Sequence, residues 1–373
     1  MTYILLFALT TLMFFLAQGM LSKSRVIYFV LSFAAIFLLS LFAGARDNCI
    51  GTDIQVYGYK VYCAAAHGSS FWNGYRAVSS ISELFYYALN YLCAAICDKY
   101  GFFLFVQTFI MLSCVFVGMN RYRDKAPVWL SMLLFNLFFY NLLLNLMRQG
   151  LALCILFAAL GFLERQKVKP FLLFAALAFM FHKTAAVAAV IMLAVYFISQ
   201  YDESKQRRLL FLWAIAAAVA VVLFGIILEI IASKIPVFEH YLSYADDSVF
   251  KAGISTVDVF LRLLLMVIVL VACNHCNVGW SPAFYAMFYL IADLAAQALG
   301  KYAHFTTRFS YYFIVVEIPL VLALCYSGRL SARTRCLVNL CLVVFFLYYC
   351  VRFNYVEGSN ETYPYKSLFL FDD

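Results

Sequence analysis

Charged residues and strand-like patterns are both scarce in this chain. Of its 373 residues, 66% are hydrophobic and only 12% are charged, and the mean hydropathy is +0.90. Soluble globular domains are nearer half apolar and a quarter charged, so a large water-soluble enzyme is excluded. The alternation typical of membrane β-strands is absent, which excludes a β-barrel. The composition therefore predicts an all-α integral membrane protein.

Motifs of soluble catalysis and of cofactor binding are also missing. The chain has no Gly-rich nucleotide loop, no HExxH helix and no GxSxG element. It also lacks the Asp-rich loops that hold divalent metals, and the pair Cys273 and Cys276 has no second pair to complete a zinc site. We therefore expect no metal and no cofactor. The net charge of +8 is attributed to membrane orientation and anionic lipid, not to nucleic acid.

Twelve apolar runs predict membrane-spanning helices in a single polytopic domain, residues 1–373. The first run lacks a basic leader and a cleavage site, so we expect a retained helix and not a signal peptide. The run 82–97 is short and carries Glu83 and Asn90, which favours an interfacial or re-entrant helix. The predicted spans are 3–21, 26–45, 101–119, 128–146, 150–163, 171–181, 184–199, 209–232, 258–272, 280–299, 309–326 and 336–351.

The distribution of Lys and Arg predicts the orientation in the membrane. The compact basic turns at 22–25, 121–125, 164–169, 205–208 and 329–335 are expected to be cytoplasmic. Loops 46–80 and 233–257 and the tail 352–373 are then extracytoplasmic, so both termini lie outside. Cys49 and Cys63 share the first of these loops, where an oxidising environment would let them form a disulfide.

Two helical hairpins are too short to cross a bilayer twice. At a rise of about 1.5 Å per residue, run 128–163 gives about 54 Å of helix and run 171–199 about 44 Å, against about 60 Å for two crossings. Their turns are therefore expected below the outer surface, where polar groups need a wet cavity lined by protein. The first turn carries Asn145, Arg148 and Gln149, and the second carries His182 and Lys183. The sequence thus predicts an outward-opening site at these turns.

Arginines near the outer ends of the spans suit anion recognition. The guanidinium groups of Arg46, Arg148 and Arg308 offer planar forks that match phosphate oxygens. The alternative is that they extend to the interface or form ion pairs at helix ends. For Arg262, one turn into run 258–272, extension outward to the interface is expected in preference to a functional role.

Three residues are candidates for a general base. Asp53, Glu83 and His182 each have an ordinary alternative: a solvated loop charge, an acid at a helix N-terminus, and a satisfied core histidine, respectively. Tyr57 belongs to an aromatic loop whose rings either stack on sugars or form a belt at the lipid headgroups.

Taken in order along the chain, these motifs resemble the EpsG family of exopolysaccharide membrane proteins, which overlaps the Wzy-type O-antigen and capsule polymerases. The resemblance extends over most of the chain, with Thr184 where family members often carry Ser. It rests on Arg46 with Gly51-Thr52-Asp53 and Tyr57, Glu83 before an aromatic helix, the run Asn145 to Ala152, the run Phe181 to Ala185, Arg308 before Tyr311-Tyr312-Phe313, and Tyr363-Pro364-Tyr365-Lys366.

The resemblance implies a GT-C-like glycosyltransferase fold in the bacterial cytoplasmic (inner) membrane. Such a protein transfers a glycan from undecaprenyl pyrophosphate to the terminal sugar of another lipid-linked repeat unit. Its implied partners are this lipid-linked oligosaccharide, membrane lipid and a possible chain-length regulator. The implied roles are pyrophosphate binding by Arg46, Arg148, Arg308 and Lys183, base catalysis by Asp53, Glu83 or His182, and substrate contact by Tyr57, Asn145, Gln149 and Tyr311.

Two other functions remain open at this point. A flippase for lipid-linked oligosaccharides would also need about twelve spans and internal cations, but it should show repeated halves, and no internal repeat is evident. A polysaccharide acyltransferase would use His182 as its base, although its donor normally comes from the cytoplasm.

Overall fold

The computed structural model describes residues 2–234, 256–276, 280–302, 306–327 and 330–367. Within these ranges the chain is helical and contains no β-strand, apart from one isolated antiparallel bridge between Arg46 and Ser367. The prediction of an all-α integral membrane protein is confirmed. Nearly all of the predicted loop 233–257 lies outside the described residues, as do the side chains of Cys273 and Cys276.

Nearly all predicted spans correspond closely to helices in the structure. Short π-helical segments at Ile54–Gly58, Asn136–Tyr140 and Arg352–Val356 each adjoin an α-helix. The helices are α1 (Thr2–Met20), α2 (Arg25–Gly44), α3 (Tyr59–His67), α4 (Phe71–Val78), α5 (Leu84–Ile96), α6 (Tyr100–Asn120), α7 (Val128–Phe135), α8 (Asn141–Asn145), α9 (Met147–Glu164), α10 (Val168–Phe181), α11 (Ala185–Ile198), α12 (Glu203–Lys234), α13 (Thr256–Cys276), α14 (Trp280–Leu299), α15 (Thr307–Ser327) and α16 (Ala332–Val351).

Among the described residues, nine helical segments are long and apolar enough to cross a membrane. Helices α10 and α11 have 14 residues each, or about 21 Å at 1.5 Å per residue, which is less than a hydrocarbon core of about 30 Å. This agrees with the expected foreshortening of that hairpin. Twelve crossings, the GT-C-like architecture and the orientation stay predictions.

The contacts within the chain divide it into two compact units. Unit 1 comprises residues 1–189 and 340–373, and unit 2 comprises residues 190–339. In unit 1, α2 packs on α1 and α6, while α9 packs on α6 and α10. In unit 2, α14 packs on α12, α13 and α15. A single domain over the whole chain stays a prediction.

Lipid-exposed and buried faces separate as the composition requires. Large apolar side chains such as Leu5, Val26 and Leu173 are exposed, which in water would be unfavourable but is expected of helices facing hydrocarbon. Helix α9 lies at the other extreme, since most of its residues are buried. The core of unit 1 therefore surrounds the helix that carries Arg148.

Segment 46–80 is more ordered than the sequence suggested. We expected a loop, but the segment forms α3 and α4, which pack on each other, and α3 also packs on α5. Cys49 and Cys63 are both free thiols in this structure, so the possible disulfide is not formed. The aromatic and alanine-rich stretch from Tyr59 to His67 was the missed signal for a short helix.

Helices α2 and α6 approach through two glycines. A methyl group added at Gly44 would lie 2.7 Å from the carbonyl oxygen of Gly101 and 2.8 Å from Cβ of Phe105. A methyl group at Gly101 would lie 2.5 Å from the carbonyl oxygen of Gly44. Because these are backbone contacts, the two helices would have to separate to admit any side chain.

We expect Gly44→Ala to lower the melting temperature of the purified protein in detergent. Overpacking of this kind destabilises by about 1–3 kcal/mol. The matched control is Gly19→Ala in α1, where an added methyl group meets no atom within 4 Å. That control should be neutral or slightly stabilising, because alanine loses less backbone entropy on folding. Equal melting temperatures for Gly44→Ala and wild type would contradict the close approach of α2 and α6.

Candidate functional site

One carboxylate in unit 1 joins three separate elements of the chain. Nη1 of Arg148 donates to Oε2 of Glu83 at 2.8 Å, and Nδ1 of His182 lies 2.9 Å from Oε1 of the same carboxylate. The side chains are mostly shielded, with exposed fractions of 13% for Glu83, 22% for Arg148 and 21% for His182. They are therefore partly desolvated but still open to a ligand.

The backbone conformation at each position accounts for this meeting. Glu83 is the N-cap residue of α5 but makes no capping hydrogen bond with its side chain, which turns to Arg148 and His182 instead. Helix α8 ends at Asn145 and α9 begins at Met147, so the break at Leu146 puts Arg148 in the first turn of α9. His182 follows α10 in an extended conformation. The two breaks between helices therefore fall at the positions along the chain that the sequence indicated, and their depth in the membrane stays a prediction.

An aromatic ring and a second carboxylate extend the cluster. The guanidinium carbon of Arg148 lies 4.1 Å from the ring centroid of Tyr57, in cation–π geometry. The hydroxyl of Tyr57 donates to Oδ2 of Asp53 at 2.6 Å. Burial, followed by the negative charge of Asp53, raises the pKa of Tyr57 well above its ordinary value, which keeps the hydroxyl a donor. Asp53 is thus not a solvated loop charge.

Glu83 remains ionised in spite of its environment. Burial opposes ionisation, but the hydrogen bond from His182 and the charge of Arg148 outweigh it and hold the pKa of Glu83 below its ordinary value. A carboxylate with a lowered pKa is a weak proton acceptor. Glu83 is accordingly better suited to orienting its two partners than to removing a proton itself.

Arg46 lies in a different environment from Arg148. It is 1% exposed, and its Nε and Nη1 atoms have no hydrogen-bond partner among the described residues. Burial lowers the pKa of Arg46. The groups that act against this shift are tyrosine hydroxyls, those of Tyr3, Tyr86, Tyr100 and Tyr140. The donors of Arg46 suit an anion, but this residue is closed off from solvent, whereas the side chain of Arg148 is 22% exposed. Pyrophosphate binding by Arg46 stays a prediction.

The C-terminal tail packs against the segments that carry this cluster. The side-chain amide of Asn145 donates to the carbonyl of Asn360, and the amide of Asn141 donates to the hydroxyl of Thr362 at 2.8 Å. Tyr3 donates to the carbonyl of Thr362 at 2.9 Å. The predicted extracytoplasmic tail is therefore part of the wall beside the site. The sequence motif Tyr363 to Lys366 marked the region but not these contacts.

Unit 2 contains a second polar cluster, which sequence reasoning missed. Arg262 is fully buried and donates to Asp293 at 2.8 Å, to Asp258 at 2.7 Å and to Ser310 at 2.9 Å. The expectation that Arg262 extends outward to the interface was wrong, because carboxylates within the unit compensate its charge. Glu317 is also fully buried, and both of its oxygens lack a hydrogen-bond partner within the described part of the chain.

The remaining predicted site residues divide between the units. Gln149 in unit 1 is buried, and Lys183 in unit 1 is exposed. Arg308 and Tyr311 belong to unit 2, where Arg308 is exposed and Tyr311 is half-buried. The structure thus brings together Asp53, Tyr57, Glu83, Arg148 and His182, with Asn145 on the adjoining turn. Among the described residues, no group of three or more His, Cys, Asp or Glu side chains is arranged to hold a metal ion.

A comparison with known protein families identifies the family of this chain. The sequence profile of the EpsG family matches residues 26–367, which is nearly the whole chain. The chain belongs to the EpsG family. Family membership, together with the apolar helices, indicates a membrane protein of the polysaccharide-polymerase type. A search of curated proteins and a search of solved structures found no significant match.

The charge on Glu83 should stabilise this EpsG-family fold only above acidic pH. Because the pKa of Glu83 lies below its ordinary value of 4.5, its pairing with Arg148 contributes fully above that value and is lost as the pH falls through the folded-state pKa. The measurement compares the melting temperatures of the wild type and of Glu83→Gln, so that the hydrogen bond from His182, which contributes to the lowered pKa of Glu83, is retained. The difference should be constant from about pH 7 to about pH 5 and shrink at lower pH. A difference that does not depend on pH would contradict the ion pair.

Proposed function

We propose that this protein polymerises a bacterial surface polysaccharide by transferring a glycan from undecaprenyl pyrophosphate to the terminal sugar of another lipid-linked repeat unit. The substrates are then lipid-linked oligosaccharides at the outer face of the cytoplasmic membrane. Family membership supports a polysaccharide-polymerase type. The observation that carries the specific reaction is the contact of Glu83 with both Arg148 and His182, which sets a phosphate-binding group beside a proton acceptor.

Arg148 is suited to the leaving group. A guanidinium has five N–H donors, and only Nη1 is engaged by Glu83 in the described contacts. Nε is buried, so Nη2 and the second hydrogen of Nη1 are the donors that can receive the oxygens of the departing pyrophosphate, where negative charge increases in the transition state. Glu83 and the ring of Tyr57 fix the plane of the group before substrate binds, so little reorganisation is needed during the reaction.

His182 is the best-placed base. With Nδ1 engaged by Glu83, Nε2 is the ring nitrogen that can accept a proton, and the carboxylate stabilises the imidazolium that forms. In the proposed step, the acceptor hydroxyl oxygen bonds to the anomeric carbon of the donor glycan, and the bond from that carbon to the phosphate oxygen breaks. The electron pair leaves with undecaprenyl pyrophosphate, and the hydroxyl proton passes to Nε2. Asp53, bonded to Tyr57, is the second carboxylate of the site.

The test is a glycolipid gel from a strain that lacks this gene and is complemented with variants. Arg148→Ala and His182→Gln should each reduce the surface glycan to single repeat units, since one lost charge-stabilising donor slows a reaction by about 10²–10³. Arg148→Lys keeps the charge but not the fork, and we expect only short polymers. Expression is measured by immunoblot of the membrane fraction.

Arg165→Ala is the matched control, because Arg165 is an exposed arginine in the turn after α9. It should give the wild-type ladder. A full ladder from well-expressed Arg148→Ala would overturn the assignment of Arg148. In the deletion strain, loss of all surface repeats would favour a flippase, and a mass difference of one acyl group per repeat would favour an acyltransferase.

A further inference from the structure

We propose that Glu361, in the C-terminal tail, is a substrate-binding residue whose carboxylate accepts hydrogen bonds from hydroxyl groups of the acceptor glycan. This inference rests on the proposed polymerase function and deepens it.

Glu361 has a backbone conformation that favours other residues. Its φ is +49°, in the left-handed region where glycine and asparagine are common and larger side chains are uncommon. The same tail uses a glycine, Gly358 with φ of +63°, for its other left-handed position. The amide of Glu361 donates to the carbonyl of Gly358 at 2.9 Å, which closes the turn between them. A glutamate at this place therefore carries a steric cost that a glycine would avoid, and such positions concentrate at functional sites.

The contacts of Glu361 hold it beside the candidate site. Its carbonyl accepts from the amide of Gly51 at 3.1 Å, and its Oε2 accepts from the hydroxyl of Thr52 at 3.0 Å. Thr52 immediately precedes Asp53, which bonds to Tyr57 below the guanidinium of Arg148. The preceding residue, Asn360, accepts from Asn145, three positions before Arg148. Glu361 is thus fixed between two of the segments that carry the cluster, the one before Asp53 and the one before Arg148.

The carboxylate retains binding capacity. Glu361 is exposed, and within the described part of the chain its Oε1 makes no hydrogen bond or ion pair. The bond to Thr52 and the fixed backbone limit its rotamers, so little further entropy is lost when a ligand binds. An exposed acid held in one orientation differs in this from an ordinary solvated surface charge.

The charge of Glu361 decides which part of the substrate it suits. An anionic group repels pyrophosphate, which Arg148 is placed to receive, but it accepts short, charge-assisted hydrogen bonds from neutral hydroxyl donors. Sugars carry such donors in adjacent pairs, which a carboxylate can bind with its two oxygens. The acceptor glycan is therefore the part of the reaction that Glu361 recognises.

The test separates a binding role from a role in the turn. Glu361→Gly and Glu361→Asn remove the carboxylate but suit the left-handed backbone, so melting temperatures should be unchanged or raised. Transfer is measured with purified protein in nanodiscs, a fixed lipid-linked donor and a titrated soluble oligosaccharide acceptor. Both variants should raise the KM for the acceptor about tenfold, the usual result of one lost hydrogen bond to a charged group, with kcat unchanged. Glu361→Asp, which keeps the carboxylate, should recover part of the affinity.

Glu357→Gln is the matched control, since Glu357 is an exposed acid of the same tail that pairs with Arg352 at 2.8 Å. It should leave the KM for the acceptor unchanged. A wild-type KM in both Glu361→Gly and Glu361→Asn would overturn the inference. So would a raised KM that appears only with a lowered melting temperature, because that would assign Glu361 to the turn alone. Failure of the polymerase proposal is distinct, because it requires that Arg148→Ala still polymerises.

Discussion

The arrangement of unit 1 depends on the ionised carboxylate of Glu83, because it is the point at which an arginine and a histidine from distant parts of the chain meet. In a partly desolvated site, a guanidinium without an anion would be unfavourable, and the carboxylate compensates it at 2.8 Å. The same group fixes the imidazole of His182 through Nδ1. In the proposed reaction, removing Glu83 would therefore affect anion binding and proton transfer together, although Glu83 itself is a weak base.

The cluster is supported by backbone features, not by side-chain packing alone. The break at Leu146 ends one helix and begins another, so that Arg148 projects from a first turn. His182 is itself the extended residue that follows α10, so its side chain also projects from a helix end. The tail from Asn360 to Ser367 then connects the turn at Asn145 with the segment that follows α2. Helix ends and a tail thus supply the polar groups, while the helix interiors supply the apolar packing.

Two buried arginines illustrate different ways of placing a charge within this protein. Arg262 in unit 2 is compensated by Asp258 and Asp293, so its charge is satisfied within the unit. Arg46 in unit 1 has no carboxylate in contact among the described residues and is surrounded by tyrosines. Buried charges without a partner are unfavourable. Arg46 is thus a buried cation of unit 1 for which the contacts of the described residues supply no carboxylate.

The sequence by itself determined the class of protein, most helices, the short hairpin of α10 and α11 and five members of the cluster. Hydrophobic run length and scarce charge are local properties, and they suffice for helices that must satisfy their own backbone in lipid. The family motifs indicated which polar residues belong to the candidate site. The pairing of Glu83 with His182, the burial of Arg262 between two aspartates and the seating of Glu361 beside Thr52 were decided only by the tertiary structure. Each joins positions far apart in the chain, and no local pattern records which distant charge a side chain will meet.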